Sequence, residues 1–192
     1  KVERLDTPEL PLLLASKIIS KSAKTILIYL QFDGQPVDES EWNQENPYKA
    51  ELKIYENGEY KSISWNVLEN ITTKNINDSD IRIFARSTSD GKGPVLMLLN
   101  ALEIMKETDL KLKYNLKVIM DFEEELGSPN ITNAVNKYSD KLKTDALLIY
   151  DGPEHPSNLP TLEFGARGIS QITLTSYGPV VPQHSGHFGN YA

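Results

Sequence analysis

Two features of the sequence predict an α/β fold with a mainly parallel sheet and flanking helices. Apolar, β-branched runs alternate along the chain with amphipathic helical stretches, and acidic residues stand beside glycine wherever such a run ends. The alternation calls for parallel strands joined by right-handed crossovers. The acidic punctuation puts charge at the carboxyl ends of strands, where open α/β sheets carry their ligands.

Residues 25–30 (T-I-L-I-Y-L) form a short β-branched run, read as a buried strand. Residues 51–64 alternate apolar and polar around Asn57-Gly58, the pair that suits a two-residue hairpin turn. A further short strand is read at 80–84. Residues 94–106 read as a helix, with Pro94 near its first turn and Leu96, Leu99, Ile104 and their neighbours supplying an apolar face. Residues 115–122 (N-L-K-V-I-M-D-F) form the next buried strand. A second helix is predicted from Ser128 as N-cap and Pro129 as first helical residue to about Leu142, and a strand follows at 146–150. The last quarter changes character. Residues 161–163 and 169–176 are strand-like, and the second run alternates, which predicts an antiparallel sheet with one wet face. The organisation expected is therefore one domain over residues 1–165 and the beginning of another over 166–192.

Composition narrows the function. A net charge of −7 argues against nucleic acid or an anionic membrane surface as the main partner. The absence of cysteine excludes disulfides, thiolate metal ligands and a thiol nucleophile, and leaves the compartment undetermined. No apolar run reaches the ~18 residues of a membrane-spanning helix. Neither phosphate-cradling glycine motif is present, and no G-x-S-x-G elbow supports a serine triad.

Chemistry concentrates in four acidic places: Asp33 after the first strand, Asp90 in R-S-T-S-D-G-K-G-P, the triplet Glu123-Glu124-Glu125 in D-F-E-E-E-L-G-S, and Asp151 in L-L-I-Y-D-G-P. Each alone has an ordinary reading. Asp90 would cap a helix, with Lys92 to neutralise it; the triplet would be a solvated turn favoured by a helix dipole; Asp33 and Asp151 would start turns. Together they point to carboxylates that hold divalent metal and move protons. Adjacent glutamates at a strand end point different ways, so one can bind a metal while its neighbour serves as general base. His184 and His187, three apart in H-S-G-H, have metal-ligand spacing as well as an ordinary surface reading, and His155 reads as a loop histidine.

Taken in order, Y-L-Q-F-D-G-Q-P-V (29–37), A-R-S-T-S-D-G-K-G-P (85–94), D-F-E-E-E-L-G-S-P-N (121–130), Y-D-G-P (150–153), G-A-R-G-I and H-S-G-H-F-G resemble the carnosinase and aminoacylase family of co-catalytic zinc peptidases, its dipeptidase branch most of all. The resemblance runs from residue 26 to residue 189. It implies an incomplete zinc-exopeptidase-like catalytic domain followed by the start of an α+β lid or dimerisation domain. It also implies two Zn²⁺ per active site, with Mn²⁺ or Co²⁺ as substitutes, a short peptide or N-acyl amino acid as substrate, and a homodimer. Asp90 would bridge the metals, Glu125 would bind one and Asp151 the other. Glu124 would be the general base, Asp33 would stand behind the metal site, and His184, in the lid or dimerisation domain, would polarise the substrate carbonyl, often that of the partner subunit's site. Two departures stand out. Gln31 occupies the histidine position of the family's H-x-D motif and offers a poorer ligand, and Gly91 replaces an acidic residue. The family also carries helices upstream and a further histidine ligand downstream, so the chain reads as an internal fragment, expected to be inactive alone. The alternative is a non-catalytic binding relative whose metal site Gln31 impairs.

Overall fold

The structure, a computed structural model, describes residues 1–70, 81–151, 155, 157, 159–178, 180–184 and 186. It divides into two units, Lys1–Pro153 and Glu154–Ala192. His187 and the Gly152-Pro153 step lie outside the described residues.

The first unit is built on a five-stranded sheet. Its strands are β1 (Val2–Leu5), β2 (Leu12–Lys17), β3 (Thr25–Gln31), β7 (Asn115–Asp121) and β8 (Ala146–Ile149), in the order β1-β2-β7-β3-β8. β3 runs parallel to both β7 and β8, whereas β2 pairs antiparallel with β7 and β1 antiparallel with β2. The sheet is thus mixed, with its parallel part at β7-β3-β8. The antiparallel β1-β2 ribbon was not read from the sequence. A second, three-stranded sheet has the order β5-β4-β6, from β4 (Glu51–Glu56), β5 (Glu59–Ile63) and β6 (Ile81–Phe84). Its hairpin turns at Asn57 (φ 54°) and Gly58 (φ 91°), the left-handed pair expected of this dipeptide.

Alternate residues of β3 enter opposite cores. Leu27 and Tyr29 face Leu5, Leu12, Leu14 and Ile119 together with Ala134 and Leu142 from helices α2 (Ile131–Lys137) and α3 (Ser139–Leu142). Ile28 and Leu30 face Leu116, Val118 and helix α1 (Lys92–Glu107) through Val95 and Leu98. Each fully buried leucine among these stabilises the fold by about 1.5–3 kcal/mol relative to exposure.

Three expectations are corrected. Helix α1 starts at Lys92, because the Lys92 and Gly93 amides both donate to Ser87 O (3.1 and 3.2 Å). Pro94 then falls inside the first turn, where no amide is needed. The face it buries is Val95 and Leu98; Leu96, Leu99 and Ile104 are 60%, 55% and 57% exposed. The helix is apolar most of the way round, so packing on β3 chose the face. The second helix is two short ones broken at Tyr138, and it starts after Asn130 rather than Ser128. Ser128 has φ 49°, and its hydroxyl lies 3.3 Å from the Tyr29 hydroxyl instead of capping. In the second unit the described residues form no strand at 161–163 or 169–176. Ile169, Ile172 and Leu174 are 93%, 82% and 92% exposed there. An apolar alternation without a partner strand leaves its ladder unmade.

Candidate active site

The site is assembled where the parallel strands end. β3 and β7 pair in register from Thr25↔Asn115 to Gln31↔Asp121, so both finish level. β8 joins β3 on its other side with Tyr29↔Ile149, and the Tyr150 amide donates to Tyr29 O at 3.1 Å. Asp151 therefore leaves β8 at the same sheet edge. The start of α1 rests on the end of β3. A Cβ built on Gly91 would stand 2.8 Å from Gln31 Cβ and 3.2 Å from Gln31 Oε1, so glycine here is a condition of that approach. This contact carries Asp90 to the edge reached by β3, β7 and β8.

Beyond β7 the chain makes a tight 3₁₀ turn, Glu124–Leu126, closed by Gly127 in the left-handed region (φ 84°). The Gly127 amide donates to Glu124 O at 2.8 Å, and the Leu126 and Ser128 amides donate to Glu123 O at 3.2 and 2.9 Å. Asp33 binds this turn from the β3 side, its Oδ2 accepting the Glu125 amide at 3.0 Å. Gln35 donates its amide to Glu125 Oε2. Desolvation, followed by the charges of Asp151, Glu125, Asp90 and Asp33, pushes the Glu124 carboxyl above the usual carboxylate range. The structure thus brings five predicted carboxylates, from four separate segments, within electrostatic reach of one another. Gln31, 3% exposed, lies beside them.

Two further predicted residues have contacts of their own. Lys92 places its ammonium 5.7 Å from the centroid of the Phe32 ring, and among the described residues it forms no ion pair with Asp90. His184 belongs to the second unit, where its Nδ1 accepts the Gly186 amide at 3.0 Å. His155 is likewise in that unit, with Nδ1 2.7 Å from Ser157 Oγ.

Sequence reasoning missed the support behind the turn. Asp121 is 3% exposed and accepts the Tyr29 hydroxyl at Oδ2 (2.9 Å) and the Glu123 amide at Oδ1 (3.0 Å). Glu123 is 5% exposed and accepts the Asn130 side-chain amide. The available signal was an aspartate ending an otherwise apolar strand. Gln35 had no signal of its own.

The donors match a divalent cation in chemistry, being carboxylates with one neutral amide oxygen. They match in charge too: the charges that push the Glu124 carboxyl upward are the carboxylates of Asp151, Glu125, Asp90 and Asp33. Asp33 adds a buried Oδ1 with no hydrogen-bond partner among the described residues. Among the described residues, no three His, Asp or Glu converge closely enough to hold a metal ion as they stand.

The family model for peptidase family M20/M25/M40 matches residues 27–182. The chain is 27% identical over 186 residues to the Cys-Gly metallodipeptidase dug1 of Schizosaccharomyces pombe, covering 96% of this chain and 34% of that protein. It is 25% identical over 181 residues to the human Beta-Ala-His dipeptidase, covering 93% of this chain and 31% of the relative. The chain thus spans about a third of the length of these curated relatives. Among solved structures, an M20 family metallo-carboxypeptidase, Sso-CP2 from Sulfolobus solfataricus, superposes with a TM-score of 0.58 at 29% identity, covering 82% of this chain and 30% of that one.

Proposed function

The chain belongs to peptidase family M20/M25/M40, and from that we propose that it carries most of the active site of a metal-dependent dipeptidase. The observation that carries this reading is that the segments bearing Asp33, Asp90, Glu124, Glu125 and Asp151 end together at the carboxyl end of β7-β3-β8, where the other four carboxylates act electrostatically on Glu124. The dipeptide substrates named for the relatives favour short peptides over N-acyl amino acids. We place the catalytic domain at residues 1–165 and the start of a lid or dimerisation domain at 166–192, with a homodimer as the assembly.

Asp90, Glu125 and Asp151 would hold the metal, with Asp90 shared between two ions and Gln31 a weak donor. Zinc is the ion proposed, with Mn²⁺ or Co²⁺ as substitutes. When bound, it would lower the pKa of water and polarise the scissile carbonyl. Glu124 is the general base. It takes a proton from the attacking water as the water oxygen bonds to the carbonyl carbon. It then delivers that proton to the amine nitrogen as the C–N bond breaks. A raised carboxyl pKa brings the base closer to the operating pH, which suits both transfers. Asp33 keeps the turn seated through the Glu125 amide. His184 is assigned to the substrate carbonyl.

In a parent protein with all ligands present, Glu124→Gln should lower kcat by roughly 10²–10⁴-fold with metal content unchanged. Full activity in that variant would sink the assignment. Gln31 favours a second reading, a binding relative without catalysis. Elemental analysis after zinc loading separates the two. In the parent protein, two tightly held ions per chain support the dipeptidase, one ion fits a site weakened at Gln31, and none with no hydrolysis supports the binding relative.

A further inference from the structure

Asp121 is a buried carboxylate that the proposed reaction does not use. It sits at the last position of β7, 3% exposed, and both of its oxygens are taken. Oδ2 accepts the Tyr29 hydroxyl at 2.9 Å, and Oδ1 accepts the Glu123 backbone amide at 3.0 Å. Its own carbonyl accepts the Phe32 amide at 2.9 Å, which fastens the ends of β3 and β7 together. Burying a carboxylate is costly unless its lone pairs are satisfied, so a site that meets both oxygens with donors is built for the acid.

The peptide that Asp121 pins is the entry to the turn that presents Glu124. Burial first, and then the neighbouring carboxylates, push the Tyr29 hydroxyl pKa upward, so it remains protonated and can donate. Tyr29 also lies 3.3 Å from Ser128 Oγ, at the exit of the same turn. A second buried pair, Asn130 donating to Glu123, ties the turn to the start of α2. Glu125 has separate ties, its amide to Asp33 and its carboxylate to Gln35. The Glu124 carbonyl accepts the Gly127 amide, but among the described residues its carboxylate makes no hydrogen bond, so its aim depends on where the turn is held.

We propose that Asp121, acting through Tyr29 and the Glu123 amide, is a positioning residue that aims the Glu124 carboxylate at the reacting water. The inference rests on Glu124 as the general base.

The test compares wild type with Asp121→Leu, Asp121→Asn and Tyr29→Phe. Leucine has similar size and accepts nothing. Asparagine can still accept the Glu123 amide and can donate to the Tyr29 oxygen, which is then free to donate to Ser128. Amide hydrogen exchange on the 192-residue chain is read first. In Asp121→Leu and Tyr29→Phe, the Glu123, Leu126, Gly127 and Ser128 amides should exchange about tenfold faster, with the β4-β5 hairpin unchanged and Asp121→Asn near wild type. Unchanged exchange in this turn, or faster exchange of equal size throughout the chain, overturns the proposal. Dipeptide hydrolysis by the metal-loaded parent protein is read second. Asp121→Leu should lower kcat roughly 10- to 100-fold, with KM within about twofold, metal content retained, and Asp121→Asn restoring most of the rate. A kcat unchanged in Asp121→Leu overturns the proposal. A wild-type protein that hydrolyses nothing overturns the functional reading instead, and the exchange pattern then decides the positioning alone.

Discussion

Asn115 shows how one buried side chain can shape a connection. It is 4% exposed and begins β7. Its Oδ1 accepts the Ile19 and Ser20 amides at 2.8 and 3.2 Å. Its Nδ2 donates to Ser20 O, Ala23 O and Thr25 Oγ1 at 2.9, 3.1 and 3.3 Å. The turn between β2 and β3 is thus folded around a single amide. Asn115→Leu keeps the size and leaves these backbone groups unpaired. Each costs about 1–3 kcal/mol when buried and unsatisfied, so a net loss of about 2–4 kcal/mol is expected, allowing for partial rescue by water. Urea unfolding measures it, and a loss below about 1 kcal/mol would show that water replaces the amide. The asparagine's identity was visible in the sequence; its partners, about 95 residues upstream, were not.

At the scale of elements, the β4-β5 hairpin is the most local structure in the molecule. Gly58 has φ 91°, and a Cβ there would meet nothing within 4 Å. Gly58→Ala therefore isolates the backbone cost of a left-handed L-residue, about 1–2 kcal/mol. Thermal unfolding should register that loss, and an unchanged midpoint would mean the turn can change type freely. This hairpin was legible because the dipeptide dictates its own dihedral angles. Helices α2 and α3 were less legible. Ser128 carries the identity of an N-cap, but a tertiary partner, Tyr29, holds its hydroxyl and the left-handed φ removes it from the capping position. The orientation of α1 was likewise outside the reach of pattern, since Leu96 and Leu98 are equally apolar and only contact with β3 buries one of them.

At the scale of the whole molecule, charge decides the response to pH and metal. The lowered carboxyls of Asp145, held by Lys24, of Glu3, held by Lys141, and of Asp140, held by Lys143, contribute stability above their ordinary pKa values of 3.8, 4.5 and 3.8. That contribution is lost as pH falls through their lower folded values. Glu124 works in the opposite sense. Its folded pKa is raised above 4.5, so its contribution is complete below 4.5 and is lost as pH rises through the folded value. Metal-free protein should therefore lose thermal stability as pH rises through the raised folded pKa of Glu124, and Glu124→Gln should flatten that decline. At neutral pH, zinc at about 100 times its Kd should add about 2.7 kcal/mol, and chelator should remove it. A thermal midpoint indifferent to zinc would contradict a metal site among these carboxylates.

The apolar runs of β3, β7 and β8, the Asn57-Gly58 turn and the acidic residues at strand ends were all readable along the chain. Each depends on periodicity, dihedral preference or residue identity over a few neighbours. Only the folded molecule decided which strands are neighbours, that Gln31 leans on Gly91, and that Tyr29 and Asp121, 92 residues apart, share a hydrogen bond beneath the turn of Glu124. Those pairings arise when two buried cores close on opposite faces of one sheet, and no local pattern carries the distance between segments that meet there.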